Sequence, residues 1–482
     1  MQEYLATITG LADDGRGVAR LDGRVCFVSG ALPGQTVAVR IVRDRKRFAE
    51  AACLRVIGDM PDAVAPLCPH EAECGGCPLQ RMPYARQLEW KTRLVRDAFG
   101  RIGGLREAPV REALASPRLD GFRNKMEFAF GAGEDGKLVL GLRRRASRGI
   151  VDVTSCALLP EPGMDMLEAV RQLARASGLP PYAWPEGGRG SRAGSPAPGG
   201  VWRFAVLRQG RDAAGRPGWW LLLITSRVDT AARRTVRRLG EVLLERFPGM
   251  LLGVVHDIRD ADDALAQGDR RVLELGPCGA VMRQDLDGLP LVLDAASFFQ
   301  VNTEAASLLC REVVAAAALE SGSAPPRWRD ASGPVLWDLY CGSGAPGLAL
   351  AGRCSRVLGV EYDAAAVRRA TDNARALGFA HCRYEAGDAE AVLKRLAGRG
   401  ALPAPDVVLI DPPRAGMGAG VTAYVIGARP RRIVYVSCNP ATLARDAGRL
   451  CAAGWRLRRV QPVDLFPHTP HVECVALLEL DG

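Results

Sequence analysis

The chain has 482 residues, enough for about three domains, and its 64 Lys+Arg against 54 Asp+Glu give a net charge of +10 and a pI near 9.1. No run reaches the ~18 apolar residues of a membrane span, and residues 1–10 lack a basic stretch followed by an apolar one, so a cytoplasmic protein without a membrane partner is expected. The basic balance favours a polyanionic partner, and 14 cysteines in a reducing compartment read as ligands or catalysts rather than disulfides.

Residues 1 to about 57 give short alternating runs, Tyr4-Leu-Ala-Thr-Ile-Thr9, Gly17-Val-Ala-Arg20, Val25-Cys-Phe-Val28 and Thr36-Val-Ala-Val-Arg-Ile-Val42, parted by Gly, Asp and Pro turns. This pattern predicts a small OB-like β-barrel, with the basic turn Arg43-Asp-Arg-Lys-Arg47 offered to phosphate. A Pro/Cys-rich stretch (61–78) follows, then the segment 84–99, whose apolar positions 88, 94, 95, 98 and 99 predict an amphipathic helix. Residues from about 120 to 295 alternate strand-like runs such as Trp219-Trp-Leu-Leu-Leu-Ile224 with helical ones, which predicts a central α+β domain. Two further basic clusters lie here, Arg143-Arg-Arg-Ala-Ser-Arg148 and Arg233-Arg-Thr-Val-Arg-Arg238, the second with the spacing of an exposed helix side. The Gly/Ser/Pro-rich run 186–200 and the segment Ser321-Gly-Ser-Ala-Pro-Pro326 have the composition of flexible connections.

From 335 the pattern becomes βαβ. Strand Val335-Leu-Trp-Asp-Leu-Tyr340 enters the turn Cys341-Gly-Ser-Gly-Ala-Pro-Gly347, and a second strand, Arg356-Val-Leu-Gly-Val360, ends in Glu361-Tyr-Asp363. Gly342, Gly344 and Gly347 match G-x-G-x-x-G with a carboxylate about 20 residues on, which alone does not separate a nicotinamide dinucleotide from S-adenosylmethionine. A third element ends in Glu385-Ala-Gly-Asp388 and a fourth in Asp411-Pro-Pro-Arg414. Acids after the second and third strands and Asp-Pro-Pro after the fourth follow the order of S-adenosylmethionine methyltransferases rather than dehydrogenases. A fifth strand, Ile433-Val-Tyr-Val-Ser437, brings Cys438 to the same edge, where open α/β sheets bind ligands. A single such thiol is ordinarily a small buried hydrophobe. Four preceding strand ends with Gly, Asp or Glu make it a candidate nucleophile.

With Phe122-Arg-Asn-Lys-Met-Glu-Phe128, Ser297-Phe-Phe-Gln-Val-Asn302, Asp338-Leu-Tyr-Cys-Gly-Ser-Gly344, Asp411-Pro-Pro-Arg414, Ser437-Cys-Asn-Pro440 and Pro467-His-Thr-Pro-His-Val-Glu473, the chain resembles the RNA uracil-5-methyltransferase family over nearly its whole length. It is most similar to ribosomal members that carry an N-terminal TRAM domain and an iron–sulfur cluster. The resemblance implies a multidomain α/β protein: a TRAM barrel over 1–57 that binds RNA, a central domain over 58–295 with the iron–sulfur site and an RNA-binding face, and a Rossmann-like class I methyltransferase domain over 296–482. It also implies that 84–116 packs on the catalytic domain and that Phe122 to Phe128 lines the RNA face. By the same resemblance Gln300, Tyr340, Gly342, Gly344, Glu361, Asp388 and Asp411 contact S-adenosylmethionine. Family members often carry Asn after the second glycine of the cofactor turn, where this chain has Ala345, so that contact is not carried over.

Carbon 5 of uracil is a weak nucleophile, and a thiolate added at C6 would concentrate negative charge there, the role that fits Cys438. The resemblance assigns removal of the C5 proton to Glu473. Cys68, Cys74 and Cys77 form C-x5-C-x2-C, to which Cys156 can add a fourth thiolate; the donor set suits zinc or an iron–sulfur cluster, and the family pattern implies [4Fe-4S]. The expected substrate is a single-stranded or flipped-out uridine, in 23S rRNA before tRNA, acted on by a monomer without an obligate protein partner. The rival readings are a tRNA uridine-5 methyltransferase, an RNA cytosine-5 methyltransferase, a radical methylthiotransferase and a non-catalytic RNA-binding protein.

Overall fold

The computed structural model describes residues 2–145, 147, 149–183, 199–317 and 333–480. Most of the 186–200 run, the segment 321–326 and Arg148 lie outside them. The first unit is a six-stranded sheet of β1 (Tyr4–Thr7), β2 (Gly10–Leu11), β3 (Gly17–Leu21), β4 (Arg24–Ser29), β5 (Thr36–Asp44) and β6 (Phe48–Gly58), in the order β1-β5-β6-β4-β3-β2. Its small β-branched and Ala side chains (Ile8, Ala19, Val28, Val37, Val39, Ala51) alternate inward onto one core, while Arg43 to Arg47 stand exposed at the turn between β5 and β6.

After the cysteine-bearing loop comes α1 (Tyr84–Arg101). Its inward face is not purely apolar: Val95, Ala98 and Phe99 are buried, but so are Gln87, Lys91 and Thr92. The apolar end joins the core of the C-terminal sheet beside Leu443, Ala444 and Val460, although this helix precedes the central strands in sequence.

The central sheet is built from β7 (Lys125–Ala132), β8 (Leu138–Arg143), β9 (Ile150–Val151), β10 (Trp202–Arg211), β11 (Pro217–Thr225), β12 (Leu251–Ile258) and β13 (Arg270–Leu275), ordered β13-β12-β11-β10-β7-β8-β9, with the hairpin β14 (Val281–Leu286) and β15 (Leu289–Asp294) attached to β10. Helices α2 (Gly163–Ala176) and α3 (Thr230–Arg246) cover one face through Leu167, Val170, Val236 and Leu239. Arg233, Arg234, Arg237 and Arg238 line the exposed side of α3, as their spacing predicts.

The C-terminal unit alternates α4 (Thr303–Ala317), β16 (Val335–Leu339), α5 (Ala345–Ala351), β17 (Arg356–Glu361), α6 (Ala364–Ala376), β18 (Cys382–Ala386), α7 (Ala389–Gly398), β19 (Val407–Ile410), α8 (Ala419–Ala428), β20 (Arg432–Ser437) and α9 (Pro440–Ala452), and closes on the hairpin β21 (Trp455–Val463) and β22 (Glu473–Leu480). Its sheet runs β18-β17-β16-β19-β20-β22-β21, parallel except that β22 is antiparallel to both neighbours. The chain reverses direction across the sheet between β16 and β19, and a crevice at that switch point is where doubly wound sheets hold ligands. Beyond the edge strand β21, Val110 and Leu114 bridge to Val460 and Val463, so residues 108–116 extend the sheet by one irregular line of pairing.

Candidate active site

The turn after β16 depends on backbone conformations that side chains resist. Tyr340, Gly342 and Gly344 have φ of 64°, 54° and 87°. A Cβ on Gly347 would lie 2.1 Å from Asp338 Oδ2, so only glycine lets the turn close over this carboxyl. The Gly342 amide donates to Glu361 Oε2 (3.0 Å) and the Asp363 amide to Glu361 Oε1 (2.9 Å), which fixes the acid at the end of β17 against the turn. Asp388 caps α7 by accepting from the Ala391 amide at 3.0 Å. Ala345 begins α5 with Pro346 behind it, so a helix-start proline follows the position where the expected Asn is missing.

Gln300 arrives from another direction. Asn124, at the start of β7, donates through Nδ2 to the Gln300 carbonyl and to Thr303 Oγ1, both at 2.8 Å, and accepts the Gln209 amide on its own carbonyl at 2.7 Å. The segment around Gln300 is thereby clamped to the central sheet, and Phe299 packs in the core shared with Leu348 of α5.

Acids crowd the strand ends. Asp338 is buried with Oδ2 lacking a partner, and burial, then Asp411 and Glu361, hold its carboxyl well above the usual range. Burial, then Glu361, raises Asp411 to about 6. Burial and the negative field of Asp411 raise Glu473 to about 8, against the opposing pull of Arg414. A cationic ligand beside these carboxyls would favour their ionised forms.

Cys438 and Glu473 sit side by side for a topological reason. Ser437 on β20 pairs with Cys474 on β22, and because these strands are antiparallel, the next step along β20 and the step back along β22 bring Cys438 beside Glu473. Cys438 is half-buried and Glu473 is 5% exposed. Burial, then Glu473, pushes the Cys438 thiol up, and the Arg414 guanidinium pulls it back. The loop bearing Arg414 is held by α9: Asn439 Nδ2 donates to the Arg414 carbonyl (3.0 Å), and buried Asp446 accepts from the Met417 amide and from Tyr435 Oη, both at 2.9 Å. Arg414 was visible in sequence only as the end of Asp411-Pro-Pro-Arg414; its pull on both the thiol and the carboxyl needs the fold.

The four singled-out cysteines, Cys68, Cys74, Cys77 and Cys156, line one cavity of about 410 Å³ with Arg123, Arg144 and Arg145. Burial raises the Cys74, Cys77 and Cys156 thiols, Cys77 to about 12, and Arg123 pulls each of them back toward the thiolate. Among the described residues no three His, Cys, Asp or Glu side chains converge tightly enough to hold a single metal ion. The four thiols and the guanidinium groups share a cavity, and the [4Fe-4S] centre expected from the sequence is not shown by it. No described helix is long and apolar enough to cross a membrane.

The chain is similar to known proteins over nearly its whole length. Residues 1–54 match the TRAM domain model and residues 327–481 the tRNA (uracil-5-)-methyltransferase model. An uncharacterised RNA methyltransferase of Nitratidesulfovibrio vulgaris is 42% identical over 98% of this chain and 95% of its own length. One from Gloeobacter violaceus is 35% identical over 99% and 96%. Among solved structures, the Pyrococcus abyssi tRNA (uracil-54, C5)-methyltransferase in complex with S-adenosyl-L-homocysteine superposes with a TM-score of 0.72 at 26% identity, covering 98% of this chain and 100% of that one. The chain belongs to the RNA (uracil-5-)-methyltransferase family.

Proposed function

We propose that this protein methylates carbon 5 of a uridine in RNA, with S-adenosylmethionine as donor, Cys438 as nucleophile and Glu473 as base. The observation that carries the reading is the juxtaposition of that thiol and that carboxyl, each one residue beyond the Ser437–Cys474 pair of β20 and β22, at the acid-lined end of a sheet with a glycine turn. When bound, S-adenosylmethionine supplies an electrophilic methyl group on a cationic sulfur. Gly342, Gly344 and Tyr340 would face it at the turn, Glu361 and Asp388 would take ribose and adenine hydrogen bonds, and Gln300 and Asp411 would complete the pocket. The positive charge of the donor would also draw the Cys438 thiol toward its thiolate.

The Cys438 thiolate adds to C6, and the electrons of the C5=C6 bond move toward the O4 enolate. C5 then forms its bond to the methyl group, and the sulfonium sulfur leaves as a neutral thioether. Glu473 removes the proton from C5; those electrons restore C5=C6 and expel the thiolate. A raised carboxyl suits a base that must act near neutrality and be recharged in each cycle.

Residues 1–57 would bind RNA as the TRAM barrel, with 58–295 as the central domain and 296–482 as the catalytic one. Cys68, Cys74, Cys77 and Cys156 would hold a [4Fe-4S] cluster, which supplies a redox-capable cross-link when bound; no step above needs it. The RNA we favour is 23S rRNA, on the combination of a TRAM domain with a four-thiol cavity. The Pyrococcus abyssi relative, a tRNA methyltransferase by its own description, supports tRNA as the second reading. Purified protein incubated with the methyl donor and 5-fluorouridine transcripts of 23S rRNA or tRNA should form a denaturation-resistant adduct with one of them. Adduct with neither transcript overturns the uracil mechanism, and adduct with tRNA alone overturns the rRNA assignment.

A further inference from the structure

Glu473 stands at the exit of the loop 464–472, between β21 and β22, and that loop is held chiefly by residues almost 400 positions earlier in the chain. At its entrance Asp464 pairs with Lys91 Nζ at 2.6 Å, both side chains fully buried, and Tyr84 Oη donates to the other carboxylate oxygen at 3.0 Å. Lys91 also donates to the Phe466 carbonyl at 3.1 Å. At its tip the His468 amide donates to Gln87 Oε1 (2.9 Å), and His468, with φ of 65°, accepts the Leu79 amide on its carbonyl (2.9 Å). The Gln87 Nε2 in turn donates to the carbonyls of Leu79 (3.2 Å) and Met82 (2.8 Å). Each buried group has its partner, so the loop has one hydrogen-bonded arrangement rather than several of similar energy.

We infer that Gln87 and Tyr84 of α1 are positioning residues for Glu473, setting the carboxyl against C5 while leaving Cys438 and the donor pocket untouched. The nucleophile directly follows β20 at the start of α9, whereas the base opens β22 directly after a loop held by α1. Loosening the Gln87 and Tyr84 contacts with this loop should therefore separate the two halves of the reaction. This inference rests on the proposed roles of Cys438 and Glu473.

The test compares wild-type protein with Gln87→Leu and Tyr84→Phe on the transcript that wild-type protein methylates. The first readout is adduct with the 5-fluorouridine transcript, which needs addition and methyl transfer but no proton removal. The second is release of tritium from a transcript labelled at C5 of uridine. The expected result is adduct formation within about twofold of wild type and tritium release at least about tenfold slower, since displacement of a reacting group by an ångström is enough for such a loss. Tyr84→Phe removes one hydroxyl and keeps the Lys91–Asp464 pair, so it decides the matter if Gln87→Leu does not fold. Equal loss of both readouts, or loss of neither, overturns the positioning role. Absence of adduct in wild-type protein would instead overturn the mechanism itself.

Discussion

At Glu473 the raised carboxyl has two measurable consequences of opposite benefit. In the folded protein its pKa is about 8, against about 4.5 in the unfolded chain. Below pH 4.5 both states hold the proton; between 4.5 and 8 the folded state keeps a proton the unfolded chain has lost, so this group's contribution to stability falls as pH rises and is lowest above 8. Glu473→Gln should therefore raise the melting temperature at pH 8.5 relative to wild type, by an amount equivalent to a few kcal/mol at most, with little difference at pH 4.5. Turnover should move the other way: the rate of C5 proton release should climb between pH 6 and 8 as Glu473 ionises, a rise absent from Glu473→Gln. Thermal melts and tritium release across pH check the two signs. In sequence Cys438 and Glu473 were both candidates, the thiol through the four strand ends that precede it and the carboxyl only through the family motif. Arg414 was not, because its effect depends on a loop tethered by Asn439 and Asp446 rather than on any spacing.

At the scale of elements, the cofactor turn and α1 show what periodicity reads and what it misses. Strands β16, β17 and β20 fall where their β-branched runs place them, and the turn between β16 and α5 follows from its glycines. Gly347→Ala would drive a methyl group to 2.1 Å from the Oδ2 of buried Asp338. It should lower donor affinity by at least about tenfold, the equivalent of 1–3 kcal/mol of overpacking, as read by calorimetry with S-adenosylhomocysteine. The helix α1 was predicted from apolar positions, yet its buried stripe includes Gln87 and Lys91. An apolar period cannot announce a buried cation whose partner, Asp464, lies on a distant loop. Lys91→Met leaves that carboxylate buried beside only a tyrosine hydroxyl and backbone, and should cost about 3–5 kcal/mol of stability by denaturant unfolding.

Across the whole molecule, the catalytic sheet borrows part of its core from upstream. Val95, Ala98, Phe99 and Val110 are buried with Trp455, Val460 and Leu450, and residues 108–116 cover the β21 edge. A fragment of 296–482 alone exposes that apolar surface and an unpaired strand edge, which invites association. It should elute as aggregate or show rapid amide exchange along β21, and adding residues 79–116 should restore protection. The central claim is that Cys438 opens the reaction and Glu473 closes it. The most direct measurement is the intact mass of Glu473→Gln incubated with the methyl donor and an ordinary uridine transcript, under denaturing conditions. The account predicts a persistent protein–RNA complex carrying one added methyl group, lost when Cys438→Ala is added to the same variant; free methylated RNA, or a complex that survives without Cys438, would contradict it.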